Sequence, residues 1–244
     1  MNIRITALNS LPEVRPGDGL AALIREAASS EGQTIGGSTI VVVAQKIVSK
    51  AEGAVVDLRC IQPSAIAQSW AREWNKDPRL IELVLRESRR IVRMDRGVII
   101  AETHHGLVTA NAGVDCSNVP GDEFATTLPK NPDASARRLR MELDCGAVIV
   151  SDSFGRPWRE GLVNVAIGVS GMEAIEDLRG SCDRGGKRLS ATIMAHADEL
   201  AAAAGLVMPK AGGSPVALIE GYEWKPAEGS MRALLRDARL DLFR

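Results

Sequence analysis

Residues 146–159 read Gly146-Ala147-Val148-Ile149-Val150-Ser151-Asp152-Ser153-Phe154-Gly155-Arg156-Pro157-Trp158-Arg159. The apolar run is short and continuous, without alternation, which predicts a strand over 146–151 buried on both faces. It stops at Asp152 and Ser153, and strand ends in mixed sheets are where ligand chemistry collects. A second run of the same kind, Thr39 to Ala44, predicts a second such strand. Around them the pattern predicts strands at Ile3–Leu8, Val98–Ala101, Leu107–Ala110, Val165–Val169 and Pro215–Ile219. Helices are predicted at Gly19–Ser29 with Asp18 as its cap, Ser64–Trp74, Pro78–Arg90, Asp133–Leu143, Leu189–Ala204 and Glu228–Leu240. Strands and helices intermix without strict alternation. The expected fold is therefore α+β or an irregular mixed α/β arrangement, not a P-loop or Rossmann fold. Residues 1–244 read as one unit, or as two intimately packed parts meeting near 65–95, since no linker marks a boundary.

Composition narrows the function. Thirty basic residues against 31 acidic ones leave a net charge of −1, which argues against a nucleic-acid binder. Aromatics at 3% argue against a base-stacking surface. No apolar run approaches the ~18 residues of a spanning helix, so no membrane association is expected. Residues 1–5 lack the features of a secretory leader. Cys60, Cys116, Cys145 and Cys182 are scattered, which predicts free thiols in a reducing cytoplasm rather than a metal cluster.

Familiar catalytic motifs are missing: no Walker loop, no Gly-x-Gly-x-x-Gly after a strand, no His-Glu-x-x-His and no Gly-x-Ser-x-Gly. Three segments carry the chemistry instead. In Ala110 to Asn118, Asp115 and Asn118 offer the hard oxygens that Mg²⁺ prefers; an Asx-turn accounts for them equally well. In Ser151 to Arg159, an Asp-Ser pair can hold a divalent cation while Arg156 and Arg159 clamp anions; a helix cap with a surface ion pair is the alternative. In Gln45 to Gly53, Lys46 and Lys50 can meet phosphates or be solvated. Two acidic segments and a basic one suggest a metal-assisted site for a phosphorylated ligand. His104 and His105 are adjacent and make poor co-ligands.

At these segments the chain resembles the coenzyme F420-0:L-glutamate ligases. The resemblance runs through Leu11 to Asp18, Lys46 to Gly53, Lys76 to Leu80, His105-Gly106, Ala110 to Asn118, Ser151 to Leu162, Val165 to Gly168 and Asp241 to Arg244. It implies the family's own mixed α/β fold, a homodimer, and an amide-forming ligase. Such a ligase uses GTP with Mg²⁺ or Mn²⁺, two ions in all, to join L-glutamate to the terminal carboxylate of F420-0 through an acyl phosphate. Later glutamates join by γ-linkage.

The resemblance makes Asp115, Asp152 and Ser153 metal ligands and Asn118 and Lys50 nucleotide contacts. Leu11, Pro12, Glu13 and Val14 become a nucleotide-binding segment. Gln45 stands at a nucleotide-contacting position where Ser is usual. Asp115, Asp152 and Arg156 are then the candidate catalytic residues, and Trp158 the first candidate for stacking. Beyond Gln45, the departures from the family pattern are Gly185 for Tyr, Ile193 for Glu and Pro209 for Gly. They leave open a related ligase with another acceptor, or a catalytically impaired paralogue that binds F420 or nucleotide.

Overall fold

The computed structural model describes residues 2–119 and 121–241; of the carboxy-terminal segment that carries the resemblance, Leu242 to Arg244 lie outside the described residues. In chain order the strands are β1 (Arg4–Leu8), β2 (Ile40–Ala44), β3 (Val55–Asp57), β4 (Ser88–Asp95), β5 (Val98–Thr103), β6 (Val108–Ala110), β7 (Phe124–Thr126), β8 (Ala147–Arg156), β9 (Arg159–Ser170), β10 (Glu176–Asp177), β11 (Ile193–Met194) and β12 (Val216–Glu220). The helices are α1 (Leu20–Ser30), α2 (Gln45–Ala51), α3 (Ala65–Trp74), α4 (Pro78–Glu87), α5 (Pro132–Leu143) and α6 (His196–Gly205). This is the mixed α+β architecture the sequence predicts, and neither a P-loop nor a doubly wound fold.

The main sheet has the order β1-β12-β2-β8-β9. The two fully apolar runs lie at its centre as neighbours, and β2 pairs parallel with β8 from Ile40↔Ala147 to Ala44↔Ser151. Their side chains alternate between two apolar layers. Val41, Val43, Val148 and Val150 pack with Ile24 of α1 and Leu139 of α5. Ile40, Val42 and Ile149 pack with Ala197 and Ala201 of α6. Burial of each such Val or Ile contributes about 1.5–3 kcal/mol. A third apolar cluster, including Leu58, Ile81, Val84 and Ile99, gathers α3 and α4 against the β4-β5-β6 sheet.

Two glycine and carboxylate contacts tie α5 to the sheet. A Cβ at Gly168 of β9 would lie 2.4 Å from the Pro132 carbonyl oxygen, so the helix start seats on the strand only because that residue is glycine. Next to it, Asp133 Oδ1 accepts the Val169 N–H at 2.9 Å.

Several elements depart from the sequence pattern. Asp18 does not cap α1: its carboxylate accepts the Arg15 N–H at 2.7 Å and closes the preceding turn, while Gly19 takes the cap position. Helix α4 ends at Glu87, where Ser88 Oγ returns to the Val84 carbonyl, and Ser88 to Asp95 form a strand paired with β5. Residues 189–195 are not helical; they return as the second strand of a hairpin, and α6 starts at His196 with Asp198 and Glu199 in its first turn. Residues 228–240 form two short 3₁₀ turns, Met231–Leu234 and Ala238–Leu240, in place of the expected amphipathic helix.

The four cysteines are free, with Cys60, Cys116 and Cys182 exposed and Cys145 buried. Burial pushes the Cys145 thiol up to about 12. In the native protein at pH 8, Ellman's reagent is expected to label three thiols, with the fourth at least about 10³-fold slower. Unfolding in guanidinium should release it; rapid labelling of all four would contradict its burial. No helix of the described residues is long and apolar enough to cross a membrane.

Candidate active site

Because β2 and β8 are parallel and in register, their C-terminal ends open side by side, and a cavity of about 420 Å³ lies there. One wall is the loop after β1, with Leu11, Pro12, Glu13 and Val14. A second is α2, which follows β2 without a linker. A third is the end of β8, Ser151 to Ser153, with Asn164 of β9. The segment between α6 and β12 closes the fourth side with Met208, Pro209, Lys210 and Ser214. The topology thus brings together Leu11 to Val14, Gln45, Lys50, Asn118, Asp152 and Ser153, which lie far apart in sequence.

Helical spacing puts Gln45 below Ser49 and Lys46 below Lys50. Gln45 is buried, its Oε1 2.7 Å from the Ser49 hydroxyl, so its amide is held in the wall. The Lys50 stem is buried and its ammonium pairs with Glu13, which ties α2 to the loop after β1. Lys46 Nζ lies 2.7 Å from Asp115 Oδ2 and also meets Ser117 Oγ. Asp115 Oδ1 accepts the Ser117 N–H at 2.7 Å, the Asx-turn that the spacing allowed. Asp115 therefore stands behind Lys46, one side chain back from the cavity wall.

The two carboxylates differ in electrostatics. Burial disfavours charge on Asp115, but the Lys46 ammonium and the Ser117 amide and hydroxyl outweigh it and hold the carboxyl below its usual value. Burial pushes Asp152 above the usual carboxylate value. The Ser153 amide and the ammonium groups of Lys210 and Lys46 pull it back, while the Asp115 carboxylate adds to the rise. Two carboxylates thus sense each other across a site that also holds three lysines.

Ser153 Oγ donates to Asn164 Oδ1 at 2.5 Å across the β8-β9 ladder, where the two residues are direct partners. This leaves the lone pairs of Ser153 available to a ligand. The hard-oxygen donors present are Asp152, Ser153 Oγ, Asn164 Oδ1 and, behind Lys46, Asp115. No group of three His, Cys, Asp or Glu able to hold a metal occurs among the described residues.

Some expected residues lie elsewhere. Strand β8 continues to Arg156 and turns into β9, so no helix follows Asp152. Arg156 and Arg159 face each other across that hairpin end, and the Arg156 guanidinium donates to the Glu160 carbonyl at 2.5 Å. Neither reaches the cavity. Trp158 is 80% exposed at the same turn. Gly185 and Ile193 sit in the hairpin between β10 and β11, also away from the cavity, whereas Pro209 lines it. His104 and His105 contact the Arg86 and Pro129 carbonyls and take no part. Asn164 and Lys210 escaped the sequence reading as site residues. Asn164 becomes visible only through the β8-β9 register, and Lys210 only through the closing segment that β12 positions.

Residues 9–221, which include every residue of the cavity wall, match the F420-0:Gamma-glutamyl ligase family. The chain is 44% identical to the coenzyme F420:L-glutamate ligase of Methanothermobacter thermautotrophicus over 100% of both chains. It is 44% identical to that of Methanopyrus kandleri over 99% of this chain and 98% of the relative. It is 39% identical to that of Halorubrum lacusprofundi over 93% and 91%.

Proposed function

The chain belongs to the F420-0:gamma-glutamyl ligase family, and we propose that it joins L-glutamate to the terminal carboxylate of F420-0 in the cavity at the ends of β2 and β8, at the expense of GTP. The observation that carries this placement is the half-buried Asp152 carboxyl, set beside Ser153 and within the field of Lys46 and Lys210.

A carboxylate is a poor acyl donor and has to be activated. Transfer of the γ-phosphoryl of GTP to the F420-0 carboxylate gives an acyl phosphate and GDP. The glutamate amine then attacks the acyl carbon, and the amide forms as phosphate leaves and a proton is lost. Phosphoryl transfer depends on positioning and on compensating developing charge. Lys46, Lys50 and Lys210 supply cations on the walls, and Leu11 to Val14 with Gln45 and Asn118 line the space for the nucleotide.

The donor set also suits Mg²⁺ or Mn²⁺. Such ions take one or two carboxylates and complete their shell with water and substrate phosphates. Asp152, Ser153 and Asn164 can hold one on the wall. Asp115 can hold a second if Lys46 swings to the phosphates. When bound, the metal would neutralise charge on the transferring phosphoryl group. A homodimer acting in the cytoplasm belongs to the same reading.

Incubation with F420-0, L-glutamate, GTP and Mn²⁺ is expected to yield glutamylated F420 by mass spectrometry. A folded protein that gives no product would overturn the assignment. Pro209 in the cavity wall favours one alternative, a paralogue that binds F420 or nucleotide without turnover: proline lacks an N–H donor and fixes φ where the family pattern has glycine. Binding by calorimetry without phosphate release would establish that alternative. Phosphate release with a different acceptor would instead mark a related amide ligase.

A further inference from the structure

Strand β9 reaches the cavity wall through Asn164. The Oδ1 of this residue accepts the hydroxyl of Ser153, its direct partner in the β8-β9 ladder. Its amide nitrogen lies against Gly205, the last residue of α6: a Cβ built there would sit 2.9 Å from Nδ2 and 3.2 Å from Cγ. That end of a helix carries its unpaired carbonyls and the negative pole of its dipole. The NH₂ group therefore turns to the helix and the oxygen to the serine, which gives the amide one preferred orientation.

The backbone does not require glycine at position 205. Gly205 lies within α6, its φ is outside the left-handed region, and the chain runs on through Leu206 at φ −66° and ψ −29°. Alanine would favour a helix there more than glycine does. The helix is also held close to the sheet. Asp198 Oδ1 accepts the Ala166 N–H of β9 at 2.8 Å, and Ala197, Ala201 and Ala204 are buried in the apolar layer they share with Ala166 and Val169. With α6 fixed in this way, the space left by the missing Cβ is the space that the Asn164 amide uses.

A hydroxyl has one proton and two lone pairs. Where it faces a cation the proton has to point elsewhere, because a proton aimed at the ion repels it. With Asn164 Oδ1 taking the proton, both lone pairs of Ser153 are left to the cavity beside Asp152. We propose that Asn164 is a positioning residue that serves a divalent cation through Ser153, and that Gly205 holds Asn164 in the orientation this needs. This role rests on the reading of Asp152 and Ser153 as a cation site. It extends that site to Gly205, which does not line the cavity. Loss of a partner that orients a metal ligand typically costs about 10–100-fold in metal affinity.

Binding of Mn²⁺ alone, followed through the loss of the free-ion EPR signal, tests this without turnover. Asn164→Ala is expected to weaken Mn²⁺ binding by at least about 10-fold. Gly205→Ala should weaken it as much, because the new Cβ turns the amide away from Ser153, yet the variant should melt close to the wild type in EDTA. In a Ser153→Ala background neither change should weaken binding further, since the group through which they act is gone. A role confined to packing would instead lower the melting temperature and add to the Ser153→Ala loss. Wild-type Mn²⁺ affinity in either single variant would overturn the proposal. So would a further loss from Asn164→Ala in the Ser153→Ala background, which would make Asn164 a ligand in its own right. A wild-type chain that binds no Mn²⁺ would overturn the cation site itself, and the positioning role with it.

Discussion

Asp152→Asn is expected to abolish glutamyl transfer, by about 10³-fold or more, while raising the melting temperature of the protein in EDTA. The two effects have one cause. Burial at the end of β8, reinforced by the Asp115 carboxylate, raises the folded-state value of this carboxyl above its ordinary one. For an acid shifted upward, the folded state binds more protons than the unfolded state between the two values. Stability therefore falls as pH rises through that window, and above it the charged carboxylate imposes a constant penalty. Asparagine keeps the shape and removes the charge. At pH 7.5 the variant should melt higher, by about 2–4 °C for each kcal/mol released in a chain of this size. As pH falls through the folded-state value and the wild-type carboxyl takes up its proton, the gap should narrow. The activity change runs the opposite way, because the lost charge is what would hold a divalent cation; removal of about 4 kcal/mol of charge stabilisation corresponds to 10³-fold in rate. Melting curves with and without Mn²⁺ test the metal assignment apart from turnover. The wild-type chain should be stabilised by Mn²⁺ and the variant should not. Turnover at the wild-type rate would remove Asp152 from the chemistry.

The two runs with the strongest sequence signal are also those the topology uses most directly. The runs Thr39 to Ala44 and Gly146 to Ser151 read as doubly buried strands from composition alone, and their adjacency then places Gln45, Lys46 and Asp152 at one opening. What the sequence could not carry was register. Ser153 and Asn164 meet only because β9 extends back to Arg159, a stretch whose polar residues give no strand pattern. The ladder is shifted between Val150 and Ser151, which breaks simple alternation where the site begins. The hairpin of β10 and β11 departs from the sequence pattern for a related reason. Leu189, Ile193, Ala197 and Leu200 keep helical spacing, yet residues up to Met194 pair with an incoming strand and only those after it coil. Arg156 looked like an anion clamp from its neighbours in sequence, but a strand that overruns its apolar core by five residues carries that guanidinium out to the hairpin end.

Asp133→Ala is expected to destabilise the protein by about 3–5 kcal/mol, a fall in melting temperature of roughly 10 °C. Its carboxylate, in the first turn of α5, joins three pieces of chain. Oδ1 accepts the Val169 N–H of β9 and the Met231 N–H, each at 2.9 Å, and Oδ2 accepts the Ser230 hydroxyl at 2.6 Å. Val169 and Met231 are buried, so alanine leaves two backbone donors without partner or water, at about 1–3 kcal/mol each. The favourable placement of an acid at a helix N-terminus is lost as well. This anchoring also explains why residues 228–240 do not form the helix their charge pattern suggests. Met231 packs in the core beside Leu139, and Ser230 and Met231 are fixed to Asp133, so the chain there follows the body of the protein in short turns. Asp133→Asn separates lost hydrogen bonding from lost charge: its amide oxygen can still accept both N–H groups, and its cost should stay below a third of the alanine value. In the alanine variant the segment around Arg232 and Arg236 should become cleavable by trypsin well below the global unfolding temperature, while the asparagine variant stays resistant. A loss under 1 kcal/mol on Asp133→Ala, with unchanged proteolysis, would mean that Met231 packing alone holds the segment in place.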